Sequence, residues 1–410
     1  MSLERTGPAP ARLRARLRLG SVVPALLCIE FLDEVLFGAH EAAWPLIRDD
    51  LGLSYTEIGL LFTLPALVGN LVEPACAILS DVRAARRRAM VLAGGVAYAA
   101  GTLLVGLSPG FAAMTAALLL LNPASGMFVG LSQAALMDVD PARREQNMAR
   151  WALAGSLGNC VGPLLPAAAV GLALSWRWVF AVVAALAAAA LALTWRLPFP
   201  APPRRAEGAD EPTTLRAFAG GLRGALRALR RREVVRWLIL LELGDFTWDV
   251  MRGFLALYFV DAVGVSEGRA VLAVVLWTWA GLPGDFLMLP LLRRVRGTSY
   301  LRVSTAAVLL LFPAFLLAEG YAAKVALLGL LGAANAGWYA ILRARLYEEL
   351  PGQSGTTMAL GNLFGLAATF VPVALGAFAE AFGVGAMMWL LVVGPAGLLA
   401  GLLTAPAERG

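Results

Sequence analysis

The sequence predicts an all-α membrane protein of about twelve transmembrane helices in two pseudo-symmetric six-helix bundles. Three observations predict it. Of 410 residues, 59% are hydrophobic and only 15% charged, against about 25% charged in a soluble domain, so charge is too sparse to cover a water-facing surface. Apolar segments recur at lengths near 20, the number a helix needs to cross roughly 30 Å of hydrocarbon. The chain also repeats itself at a shift of about 212 positions.

Lipid cannot satisfy a bare backbone, so only helices or closed barrels span it. Long Leu/Ala/Val/Gly blocks favour helices over the short alternating strands of a barrel. With breaks at Pro, Gly and charged residues, the helices are expected at 20–44, 57–79, 89–108, 112–137, 150–171, 177–197, 234–259, 269–292, 301–318, 323–347, 355–381 and 386–404. The first is read as retained, not as a cleaved leader: its apolar run holds Glu30, Asp33 and Glu34 and lacks a small-residue cleavage site.

Arginines set the orientation. Arg12, Arg14, Arg16 and Arg18 precede helix 1; Arg83 and Arg86 to Arg88 follow helix 2; Arg143 and Arg144 follow helix 4; Arg293, Arg294 and Arg296 follow helix 8. The opposite loops carry little beyond Arg48, Arg177 and Arg269. By the positive-inside rule both termini are cytoplasmic, in an inner (plasma) membrane. The net charge of +6 belongs to this topology and implies no nucleic acid. Cys28, Cys76 and Cys160 are isolated, so neither a disulfide framework nor a zinc site is supported.

The expected division is an N-terminal bundle over 1–197, a cytoplasmic linker over 198–232 and a C-terminal bundle over 233–410. The linker opens with Pro198, Pro200, Pro202 and Pro203, a stiff composition. Leu215, Phe218, Leu222, Leu226 and Leu229 then share one helical face, as in a helix lying on the lipid surface. Across the repeat, Glu30 falls on Glu242, Asp33 on Asp245, Gly52 on Gly264, Ser54 on Ser266 and Glu73 on Asp285. A shift of about 210 puts Asp138 on Glu348 and Pro141 on Pro351. Two halves related this way mark a transporter with a central site between them.

The segment Trp44-Pro45-Leu46-Ile47 through Leu51-Gly52-Leu53-Ser54, and the run Ser80-Asp81-Val82-Arg83 to Arg86-Arg87-Arg88, resemble the helix 1–2 connection and helix 2–3 signature of the major facilitator superfamily. Val82 and Ala84 stand where that signature usually has a basic residue and Gly. The resemblance covers essentially the whole chain and implies that superfamily's fold. It also implies a cytoplasmic gate in which Asp81, Arg87 and Asp138 lock helix ends together. Gly158 to Pro163 resembles the Gly-Pro motif of the superfamily's exporters, with Leu165-Pro166 replacing the trailing Gly pair. The spacing Glu30, Glu34, Pro45-Leu46-Ile47 resembles the fosmidomycin-resistance branch of drug exporters, with Glu30 where that branch has His.

Intramembrane acids are the strongest functional signal. Glu30, Asp33 and Glu34 share one face of helix 1; Glu242, Asp245 and Asp249 share one face of helix 7; Glu73 and Asp285 lie in helices 2 and 8. A carboxylate at the bilayer centre costs roughly 2.5–3.5 kcal/mol, so several must face a wet cavity or a partner. They are candidates for binding substrate and protons. Pairing with Arg252, Arg150 or Arg343 as inter-helix clasps is the plainer alternative. Gln133, Trp248, Asn335, Trp338, Tyr339, Arg252 and Arg343 are candidate cavity walls, with Trp277 and Trp279, although helix packing explains the aromatics equally well. His40 reads as an interfacial residue at the outer end of helix 1.

The expected function is proton-coupled efflux of a small cationic or amphipathic organic compound by alternating access. The alternatives are proton-coupled import of a small nutrient, transport of a divalent metal ion, and, least favoured, an intramembrane enzyme. No nucleophile motif or phosphate-binding loop is present, so no catalytic residue is assigned. The expected partners are a small-molecule substrate, protons and membrane lipid, with the chain a monomer. No cofactor or bound metal is expected.

Overall fold

The computed structural model describes residues 22–80, 84–139, 144–196, 227–292, 294–349, 365–366 and 368–404, and all the regular structure there is helical. Within the N-terminal half, α1 spans Val22–Leu51, α2 Tyr55–Ser80 and α3 Ala84–Leu107. The fourth crossing is α4 (Phe111–Ser125), a π-helical turn (Gly126–Gly130) and α5 (Leu131–Val139). The fifth is α6 (Arg144–Val161) and α7 (Leu164–Gly171), and the sixth is α8 (Arg177–Trp195). In the C-terminal half, α9 spans Arg232–Asp261, α10 Glu267–Leu292 and α11 Gly297–Leu317. The tenth crossing is α12 (Tyr321–Asn335) and α13 (Trp338–Glu349). The eleventh is represented by α14 (Val371–Phe382) and the twelfth by α15 (Val384–Leu390) and α16 (Val393–Leu403).

Among the described residues, eight of these crossings are long and apolar enough to span a bilayer. Neither α1 nor α9 is among them, because charged residues interrupt every sufficiently long apolar stretch. Each is 30 residues long, about 45 Å at 1.5 Å per residue, and so extends beyond the hydrocarbon layer.

The first helix corrects the expected boundary. It runs on to Leu51 with Pro45 inside it, where the sequence pattern suggested an end at residue 44. A proline is tolerated within a membrane helix when neighbours take up the freed backbone groups. The fifth crossing does break at Gly162-Pro163, where the proline cannot donate into the ladder. The expected linker helix lies outside the described residues up to residue 226.

The repeat has a backbone counterpart. Gly52 and Gly264 hold repeat-related places after α1 and α9, and both adopt positive φ, 65° and 75°. Only glycine does so at little cost. The next repeat-related pair is Ala173, with φ 54°, and Gly383, with φ 85°. At Ser54, Oγ accepts from Glu57 N–H at 3.1 Å, while Ser54 N–H donates to Glu57 Oε2 at 2.9 Å. This reciprocal capping box starts α2.

Two kinds of contact position the site. Within the first half, α1 packs along α6 so closely that a Cβ on Gly158 would collide with the Phe31 carbonyl. Small residues permit such backbone approach between membrane helices. Between halves, α2 packs on α14, α1 on α9, and α10 against α1, α6 and α7. Asn70 donates to Thr369 Oγ1 at 3.2 Å, and Trp279 Nε1 donates to the Cys160 carbonyl at 3.0 Å.

Arginines close several helix ends at the arginine-rich face. Arg88 donates to the Trp195 carbonyl at 2.7 Å, and Arg302 to the Leu402 carbonyl at 3.0 Å. Cations there suit the partial negative charge of a helix C-terminus.

Candidate functional site

Among the described residues, three of the cavities in and between the halves meet on α9. The largest, about 850 Å³, is walled by α1, α6, α9, α10, α12 and α13. Glu34, Glu41, Asp245, Asp249 and Arg252 supply its charge, and Trp248, Trp277, Trp338 and Tyr339 its aromatic surface. A second, about 740 Å³, lies against α2, α9 and the eleventh crossing and includes Glu242, Asp245 and Asp249. A third, about 310 Å³, lies mainly in the first half and includes Asp33, His40, Glu41, Asp249 and Arg252. Asp249 lines all three, and Arg252 lines two.

Helix geometry explains why these side chains converge. Glu30, Asp33, Glu34 and Glu41 recur at three, four and seven residues along α1, so they project within one wide stripe. Along α9, Glu242, Asp245, Asp249 and Arg252 do the same. Glu30 and Asp33 are the most enclosed, at 9% and 7% exposure. Asp33 accepts a hydrogen bond from Ser125 Oγ at 2.9 Å. Asp249 and Arg252 are more exposed, and both line the chamber and the smallest cavity.

The arrangement bears on the clasp alternative. Arg252 lies in the field of Glu41, Asp249, Glu34 and Asp245. Among the described residues no ion pair within 4.0 Å joins it, or Arg343, or Arg150, to any of the intramembrane acids. Arg343 lies over the Tyr339 ring at 5.1 Å, and Arg150 donates to Asn147 at 3.5 Å. Glu34, Glu41, Asp245 and Asp249 are therefore gathered around the chamber and, among the described residues, not consumed in ion pairs.

Not every expected wall residue belongs to it. Gln133 is turned away, its amide reaching Met148 Sδ at 3.8 Å. On an unbroken helix it would share a face with Asn122, eleven residues earlier. The π turn between them adds roughly one residue of rotation, about 100°. Trp279 is half exposed and bridges to α6, leaving Trp277 to face the chamber. Trp338 is buried, donates to Ser304 Oγ at 2.9 Å and packs edge-on to Trp248 at 6.0 Å. Asn335 lines the chamber with its carbonyl oxygen unpartnered. Glu73 lies over Gly126 of the π turn, on the Asp33 side. Asp285 lies on α10, with its side chain outside the described residues.

His40 and Glu41 correct the reading of helix 1. Because α1 continues to Leu51, neither lies at the end of the helix. His40 stacks on Trp44 at 4.6 Å and meets Phe180 edge-on at 5.5 Å, while Glu41 lines two of the cavities. The signal for Glu41 was its spacing of seven from Glu34. Tyr98, Asn122 and Ser125, which also line the smallest cavity, carried no sequence signal of their own.

At the arginine-rich face Arg87 donates to Asp138 Oδ2 at 2.6 Å, pinning α3 to α5 inside the first half. Asp81 lies outside the described residues. The opposite end carries a clasp between halves that the sequence did not indicate. Arg48 binds Asp261, with Nη2 to Oδ1 at 2.9 Å. The Tyr55 hydroxyl also donates to Asp261, and Tyr55 N–H donates to Glu380 Oε2 at 2.7 Å.

The model of the Major Facilitator Superfamily matches residues 26–372 of this sequence. The chain belongs to the major facilitator superfamily. Solved superfamily-like structures superpose over nearly its full length. The nucleoside transporter NupG gives a TM-score of 0.72 at 14% identity, covering 93% of this chain and 98% of that one. A bacterial homolog of the human lysosomal transporter Spinster, inward-facing and unoccupied, gives 0.68 at 15% identity, covering 97% of each chain. These likenesses establish the superfamily fold. No curated protein matches the sequence closely enough to count as a relative.

Proposed function

We propose that this superfamily member is a secondary active transporter exporting a small cationic or amphipathic organic solute in exchange for protons. The observation that carries the reading is the 850 Å³ chamber, which holds four carboxylates, Glu34, Glu41, Asp245 and Asp249, around one unclasped arginine, Arg252. Acids left unpaired in a membrane favour a cation or a proton as partner. The Trp248 and Trp277 rings, 6.4 Å apart and 25° from parallel, offer π faces to a flat or cationic solute.

Glu30, Asp33, Glu242 and Asp245, equivalent across the repeat, are proposed to exchange protons with the solute, aided by Glu73 and Asp285. The two bundles, 1–197 and 233–410, would rock about the chamber. The Arg48–Asp261–Tyr55 clasp closes the arginine-poor end, which fits a chamber open toward the arginine-rich, cytoplasmic side of an inner membrane. The metal-ion alternative finds no trio of His, Cys, Asp or Glu in ligating geometry among the described residues. Import of a small nutrient is the second reading; it draws on the aromatic walls alone.

The test is purified protein in proteoliposomes with an internal pH dye, an imposed pH gradient and a panel of organic cations. Solute-dependent proton movement supports the exchanger. Accumulation of solute with no proton response would remove the coupling.

A further inference from the structure

The smallest cavity contains more unsatisfied polarity than a membrane protein interior tolerates without reason. Among the described residues, His40 Nε2 and Trp44 Nε1 are buried with no hydrogen-bond partner, and the buried Tyr98 hydroxyl has none of ordinary geometry. All three residues line the same 310 Å³ cavity. Trp44 and Tyr98 are each only 1% exposed. The Tyr98 hydroxyl lies in the field of Asp33, yet no hydrogen bond of ordinary geometry joins them. Buried polar groups are normally paired, and each orphan calls for an explanation. Three orphans around one cavity, from α1 and α3, point to an occupant that completes them.

Their chemistry restricts the occupant. An indole N–H only donates, so Trp44 requires an acceptor. A phenol donates or accepts, and an imidazole nitrogen does one or the other. The Asn122 amide and Ser125 hydroxyl extend the polar side. The remaining wall is apolar and aromatic, including Leu36, Phe62 and Leu121. This cavity shares Glu41, Asp249 and Arg252 with the acidic chamber, so one solute can reach into both.

We infer that the cavity of His40, Trp44 and Tyr98 is a separate subsite for a neutral, flat hydrogen-bonding group, such as an aromatic carboxamide, on the transported solute. This rests on the transport reading above. That reading places the cationic group among the acids; the subsite selects the rest of the molecule.

The test uses the full-length protein in detergent, with calorimetric titration of three probes. They are benzyltrimethylammonium, its 4-carboxamide derivative, and neutral benzamide. The expected result is that the carboxamide cation binds about tenfold more tightly than the parent. Tyr98→Phe and Trp44→Phe should each remove most of that advantage and leave the parent's affinity unchanged. Tyr98→Phe deletes a hydroxyl that faces the Asp33 carboxylate, so its thermal unfolding is measured beside wild type to separate lost stability from lost binding. Two cations of equal affinity, or an advantage untouched by both variants, would overturn the subsite while leaving the cation reading intact. Benzamide binding that depends on Tyr98, with neither cation bound, would uphold the subsite and remove the cation reading. No binding by any probe would overturn the subsite.

Discussion

Helices α1 and α9 hold equivalent places in the two halves, yet they differ in the charges they present. The shift that lays Glu30 on Glu242 and Asp33 on Asp245 also lays His40 on Arg252 and Leu36 on Trp248. The first half therefore presents an imidazole stacked on Trp44, and the second a permanent guanidinium among carboxylates. The paired positions supply a symmetric ladder of acids. The unpaired positions make the chamber aromatic and charged on one side, and hydrogen-bonding on the other.

If the paired acids carry the coupling, Asp33→Asn and Asp245→Asn should each abolish solute-driven proton movement in proteoliposomes. The expected loss is on the order of a hundredfold, the scale of losing a positioned proton-transfer group. Loss in one half only would break the symmetry of the pair. Next in size is Gly158→Ala, which pushes a methyl into the α1 backbone at Phe31. It should destabilise the fold by about 1–3 kcal/mol, as overpacking does, read as a lowered midpoint of thermal unfolding in detergent.

Arg252→Gln removes the one cation from the chamber's carboxylates. Organic cations should then bind about tenfold more tightly, ~1.4 kcal/mol, by calorimetric titration, while Arg252→Lys should stay near wild type. Unchanged affinity in Arg252→Gln would mean that the C-terminal half does not set the site's charge. The smallest effect is expected at the clasp. Asp261→Asn weakens a partly exposed pair by roughly 0.5–1 kcal/mol, so cysteines placed at the arginine-poor end should label a few-fold faster. Asp49→Asn should do less, since Asp49 does not bridge the halves.

The acids of α1 and α9 were legible in the sequence because helical spacing and the repeat both marked them. His40 was placed at a helix end because Pro45 reads as a terminator in a sequence, yet α1 carries Pro45 within it. Gln133 was misplaced because a π turn leaves no mark in hydropathy yet rotates everything beyond it. The Arg48–Asp261 clasp joins residues 213 positions apart, and no local pattern announces such a contact. Trp277 and Trp279, two positions apart, were indistinguishable until the rotation of α10 was known.

Arg48 has one more property. It holds Asp49 through Nε at 2.9 Å while it holds Asp261, and these two aspartates are repeat mates. One of them travels with Arg48 on α1, and the other ends α9. Any motion parting α1 from α9 at this end leaves the guanidinium with a carboxylate already in hand. The clasp thus works as a latch with its own parking place: it releases without stranding the guanidinium, which stands ready to re-engage Asp261.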